Sequence, residues 1–169
     1  MTPAELLIEA YGRVHETATA VLDGLTEDQL TARPGDDPEA NTIAWLVWHL
    51  ARVQDDHVAE VAGQEQAWTA DGFAERFGLP FEASAIGYGF SVEQVGQVQV
   101  GAEDLAAYVD AVHARTVAFL EGVSAEDLDR VVDDRWDPPV TLGVRLVSVL
   151  DDDLQHAGQA AYARGLLAR

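Results

Sequence analysis

Asp152 and His156 lie one helical turn apart in SVLDDDLQHAGQAAYARG, residues 148–165, an apolar run that abruptly carries three aspartates and a histidine. At i and i+4 on a helix, a carboxylate and an imidazole are neighbours on one face. Both can therefore grip one ion from the same side. A third donor is His49, flanked by Trp48 and Leu50 in IAWLVWHLAR, the most apolar stretch of its own helix. Imidazole and carboxylate suit zinc, nickel or ferrous iron. Three protein ligands leave positions open for water or substrate, as in a catalytic rather than a closed structural site. A bland reading stands beside this one. A lone histidine on an apolar helix is more often a hydrogen-bonded core residue, and an acidic chain produces D-x-x-x-H by chance.

Two competing constellations are present. His57 lies two turns beyond His49, about 12 Å along the helix axis at the standard rise, so both cannot serve one ion without a bend. Its neighbours QDDH look like a solvated end, which ranks it below His49. DAVH (110–113) and DLQH (153–156) each place Asp and His at i, i+3. Di-iron bundles use Glu-x-x-His pairs with a further Glu on each of the other helices; here the shorter Asp replaces Glu, and no inward Glu is evident elsewhere. Within the DDD run, Asp151 and Asp153 are expected to face outward.

Composition narrows the function. The chain has no cysteine, so there is no disulfide framework, no thiolate metal site and no cysteine nucleophile. Its net charge is −20 and every basic residue is arginine. A surface this acidic repels phosphate backbones, which argues against nucleic acid as a partner. No apolar stretch approaches the roughly 20 residues of a membrane span, and the acidic start MTPAELLIEA lacks a signal peptide's basic region. The expected location is cytoplasmic.

The elements that must position these donors follow from caps and periodicity. TPAE makes Thr2 an N-cap with Glu5 completing a capping box and Pro3 opening the helix, and an apolar stripe at helical spacing runs to Leu22 before Gly24. Thr26 and Gln29 form another box. Asn41 is placed to cap a second long helix that closes at Gly63. A third runs from about Glu103 to Glu121 and a fourth from about Thr141 to Leu167. LDGLTEDQL (22–30) weakly echoes LEGVSAEDL (120–128). The expected fold is all-α: one domain over residues 1–169, a four-helix bundle with a long crossover between its second and third helices, about residues 64–101. Loops this long in compact domains are functional or disordered. Trp68, Phe73, Phe77, Phe81, Tyr88 and Phe90 disfavour disorder, and SVEQ (91–94) caps a short helix within the crossover. The segment either covers the bundle's flank or walls a ligand pocket. It could also serve a homodimer contact.

NTIAWLVWHLARVQDDH, RFGLP and RWDPPVTLGVRLVSVLDDDLQHAGQAAYARGLL resemble the DinB/YfiT-like superfamily, and within it the actinobacterial branch containing mycothiol S-transferases. The resemblance extends over nearly the whole chain. It implies a four-helix bundle holding a divalent metal, zinc or nickel, through a histidine of the second helix and an H-x-x-x-H pair of the fourth. By that pattern His49 and His156 are the outer ligands, and Asp152 stands where many relatives have histidine. Mycothiol-dependent maleylpyruvate isomerases of the same superfamily use a carboxylate there. Asp is shorter than the Glu they carry, which leaves direct or water-mediated binding open.

The function so implied is a divalent-metal-dependent S-transferase that conjugates mycothiol, as thiol co-substrate, to small electrophiles. A thiol of pKa about 8.5 is mostly protonated at neutral pH and ionises when coordinated. Gln159 and Tyr162, near His156, are candidates to touch the ligand. Arg52, one turn after His49, could steer an anionic group or simply pair with Asp55 or Asp56. The alternatives are a metal-dependent hydrolase or isomerase on the same scaffold and a non-catalytic metal-binding helical protein.

Overall fold

The computed structural model describes residues 1–167, apart from the Asp36 side chain. Four long helices build a bundle: α1 (Pro3–Leu22), α3 (Ile43–Ala62), α7 (Ala102–Leu120) and α8 (Leu142–Leu167). The short helices are α2 (Glu27–Thr31), α4 (Ala67–Ala70), α5 (Phe73–Phe77) and α6 (Val92–Gly96). α1 packs on α7 and α8, and α3 packs on the same two; the α3–α8 interface is the most extensive. This interface carries all three candidate metal ligands. No described helix is long and apolar enough to cross a membrane.

The helix starts follow the caps in the sequence. Thr2, Thr26 and Ser91 each accept a hydrogen bond from the backbone three residues on, and Glu5, Gln29 and Gln94 return it. α3 begins one residue later than expected: Thr42, not Asn41, caps it, its Oγ1 accepting from Trp45 N at 3.2 Å. The echoed segment ends in a comparable box, with Ser124 and Asp127 bonding each other's backbone N–H ahead of a 3-10 turn at Glu126–Asp129.

α3 is enclosed without a break from Ile43 to Asp55. A helix buried on every side must be apolar on every side, and two helical neighbours cannot cover it. The crossover supplies the remaining cover. Trp48 meets Trp68, Phe81 and Phe90 at ring separations of 5.8–6.3 Å, and Trp68 meets Phe77 and Tyr108 at 5.3 Å.

Polar residues of α3 fasten that cover. Asp55 accepts from the N–H groups of Ala67 and Trp68 at 2.9 and 2.8 Å and from the Tyr108 hydroxyl at 2.9 Å. Arg52 donates to the carbonyls of Ala85 and Ala83, to Gln66 Oε1 and to the Tyr108 hydroxyl. Burial raises the Asp55 pKa, and these donors only partly offset it.

A small antiparallel hairpin, β1 (Val131–Asp133) and β2 (Val140–Thr141), precedes α8. Nothing in the helical reading anticipated it. Buried Asp133 anchors it by pairing with Arg135 at 2.8 Å and with Arg145 of α8 at 3.3 Å, and the Arg135 hydrogen bonds hold its pKa far below the usual carboxylate range.

Candidate metal centre

His49 comes from the second turn of α3, and Asp152 and His156 come from facing turns of α8. Each offers a ligand atom, and these atoms all lie within 4.8 Å of one another. Among the described residues this is the one group of three or more such side chains that converges. The His49 and His156 rings meet edge to face at 4.7 Å. Trp45 stacks on His49 at 4.6 Å and presents an edge to His156 at 5.8 Å, closing the inner side of the site.

The nitrogens facing away from the centre are already engaged. His49 Nδ1 lies 2.5 Å from the Ile86 carbonyl, and His156 Nδ1 lies 3.0 Å from Gln159 Oε1. A carbonyl oxygen only accepts, so each Nδ1 carries the proton and each Nε2 keeps its lone pair for an ion. Such outer partners fix the tautomer and ring orientation of a ligating histidine. His156 Nε2 is 3.6 Å from Asp152 Oδ1.

The electrostatics fit the same role. Burial dominates at His49 and lowers its pKa, keeping the ring neutral despite the Ile86 contact. Burial also pulls His156 down, but the nearby Asp152 carboxylate and the hydrogen bond to Gln159 outweigh this and raise its pKa overall. Burial pushes Asp152 up, and His156, with smaller help from His49 and His57, more than compensates, so its pKa lies below the usual carboxylate value.

A divalent ion fits these residues. Asp152 Oδ2 is inaccessible to solvent and has no hydrogen-bond partner, an orphan acceptor that costs stability unless something positive meets it. Two imidazoles and one carboxylate without thiolate suit zinc, nickel or ferrous iron. Ligand atoms around a four-coordinate zinc stand about 3–3.5 Å apart, so small side-chain rotations close the set.

The other expected residues fall differently. Gln159 touches His156 and so acts on the site through it. Tyr162 is 72 % exposed and lines neither cleft beside the triad. Arg52 has no exposed surface and cannot steer a ligand; it pairs with Asp55 at 3.7 Å and holds residues 83–85. That places the adjoining Ile86 carbonyl over His49.

Asp153 is also a correction. It is fully buried rather than outward, because it continues the inward stripe of Leu146, Val149, Ala157 and Ala160. Both its oxygens are unpartnered, and burial raises its pKa well above the usual carboxylate range.

The rival constellations do not assemble. His15 binds Asp110 at 2.6 Å and stacks on His113 between α1 and α7, apart from the triad. His57 stands outside the triad, its Nδ1 accepting from Arg145 at 3.2 Å. Three contributors were not legible: the Ile86 carbonyl, Gly87 beside it, and the hairpin's Trp136. A backbone acceptor leaves no mark in side-chain spacing; the glycines of IGYG were the available signal.

Comparison with known proteins identifies the fold and the family. A crystal structure titled a conserved protein of locus from Enterococcus faecalis superposes with a TM-score of 0.91 at 31% identity, covering 99% of this chain and 98% of that one. No curated protein matches the sequence. The model of the DinB superfamily matches residues 10–160, from within α1 to within α8 and across the whole crossover. The chain belongs to the DinB superfamily.

Proposed function

We propose that this protein is a divalent-metal-dependent S-transferase that joins a small thiol, mycothiol by the resemblance above, to a small electrophile. The observation that carries the reading is the convergence of His49, Asp152 and His156 within 4.8 Å of one another, with His49 and Asp152 opening onto a cleft and each imidazole's Nδ1 engaged by a partner outside the triad. His49, Asp152 and His156 would hold zinc or nickel. An ion there supplies an electron-pair acceptor that shifts a coordinated thiol toward thiolate at neutral pH.

The chain's own residues prepare this chemistry. Ile86 and Gln159 hold the protons of the two ligand rings on Nδ1. Trp45 keeps water from the inner side. The chain has no cysteine, so the sulfur comes from a second substrate. In the reaction the thiol proton passes to solvent, sulfur bonds to the electrophilic carbon, and the leaving group departs with its electron pair.

The test is turnover of mycothiol with an electrophilic probe by the metal-loaded protein and by His49→Ala. Loss of at least about 100-fold is expected in the variant; unchanged turnover rejects the metal mechanism. Turnover without any thiol would instead assign the site to activated water, as in a hydrolase or isomerase.

A further inference from the structure

Beside the triad, bounded by α3, α8, the crossover and the hairpin, lies a cleft of about 360 Å³ onto which His49 and Asp152 open. Its walls are aliphatic: Val53, Ile86, Val140, Val144 and Val149. Two aromatic side chains border it with little cover of their own, Tyr88 from the crossover at 89 % exposed and Trp136 from the hairpin at 66 %. The two come from segments far apart in the chain, yet they line the same cleft. Large aromatic rings left in water beside an apolar cavity gain from a ligand face that covers them.

The cleft's charge narrows that ligand. His57, Trp136 and Arg145 are shared with a more polar cleft of about 570 Å³ lined by Asp56, Glu60 and Asp133. The cations there are already neutralised. Arg145 donates to Glu60 at 2.9 Å and Asp133 at 3.3 Å, and Arg135 pairs with Asp133 at 2.8 Å. His57 accepts from Arg145, so its ring is neutral. Among the described residues lining these clefts no unpaired positive side chain awaits an anionic body, and the net charge of −20 repels one at long range.

Resting on the metal-site reading above, we infer that this cleft takes the body of a small aromatic substrate, neutral or cationic, with its reacting group at the triad and its ring covered by Tyr88 and Trp136. A carboxylate on the ring is selected against.

Probes that share one chelating group and differ in body test this by calorimetric titration of zinc-loaded protein. Benzohydroxamate is expected to bind about tenfold more tightly than acetohydroxamate. In a Tyr88→Ala, Trp136→Ala double variant that margin falls to about twofold while acetohydroxamate affinity holds, because both side chains are exposed and the fold does not depend on them. 4-Carboxybenzohydroxamate is expected to bind at least about threefold more weakly than the similarly sized 4-(aminomethyl)benzohydroxamate. Equal affinity for the aromatic and methyl probes, a margin that survives the double variant, a preference for the carboxylated probe, or no binding to zinc-loaded protein each overturns the assignment and leaves the metal centre standing. Protein that takes up no zinc overturns both.

Discussion

A β-carbon built on Gly87 would stand 2.7 Å from Nδ1 of His49 and 2.9 Å from the Trp48 ring, so the crossover backbone rests directly on the first ligand. Gly87 also has φ +96°, where side chains other than hydrogen are strained. Gly87→Ala must therefore lift this segment and withdraw the Ile86 carbonyl. The expected result is zinc affinity lower by about 10–100-fold, measured by competition with a chelator of known affinity.

Arg52 acts through the same segment. Removing its guanidinium in Arg52→Met leaves Asp55 charged and enclosed and frees residues 83–85. Breaking a buried pair this way costs about 3–5 kcal/mol, a fall in Tm of roughly 8–15 °C for a chain of this size. Thermal unfolding followed by circular dichroism checks it. Lysine should rescue poorly, since it lacks the fork that serves several acceptors at once.

Protons compete with the ion at His156, whose pKa is raised. In metal-free protein the Asp152–His156 pair stabilises the fold below the unfolded histidine value of about 6.5 and loses that contribution as pH rises through the higher folded value. Metal binding runs the other way, because the ring must be deprotonated. The Tm increase caused by zinc should thus grow from pH 5.5 to pH 7.5, while that pair's own contribution to metal-free protein declines. A zinc-induced shift that is flat or falls over this interval contradicts the ligand assignment of His156.

Asp153 carries a separate pH dependence. Its folded pKa is raised, so its neutral form favours the fold below about 3.9 and this advantage is lost as pH rises through the folded value. Asp153→Asn cannot ionise, so the variant's Tm should fall less than the parent's between pH 5 and pH 8. Parallel Tm profiles would mean that Asp153 does not remain protonated in the fold.

Much of the fold was legible because long helices announce themselves through caps and periodicity, as Thr2, Thr26, Ser91 and the α3 and α8 stripes do. The triad was legible because one turn of helix fixes the Asp152–His156 relation and because His49 interrupts an otherwise apolar face. Asp153 was misread although the signal existed: it sits on the Leu146–Val149–Ala157 stripe, and spacing should have outweighed its charge. Of the two roles open to Arg52, pairing with Asp55 is the one found, because the crossover encloses its helix from Ile43 to Asp55. The β1–β2 hairpin, at three and two residues, is too short for alternation to show. Its Trp136 reaches the cleft only through tertiary packing.

The most direct test is the metal content of the wild-type chain and of His49→Ala after dialysis against zinc or nickel at pH 7.5, measured by elemental analysis. About one ion per wild-type chain and less than about 0.1 per chain of the variant are expected of a three-ligand site. Equal content in both proteins, or less than about 0.1 ion per wild-type chain, would contradict the assignment of His49, Asp152 and His156 as a metal centre.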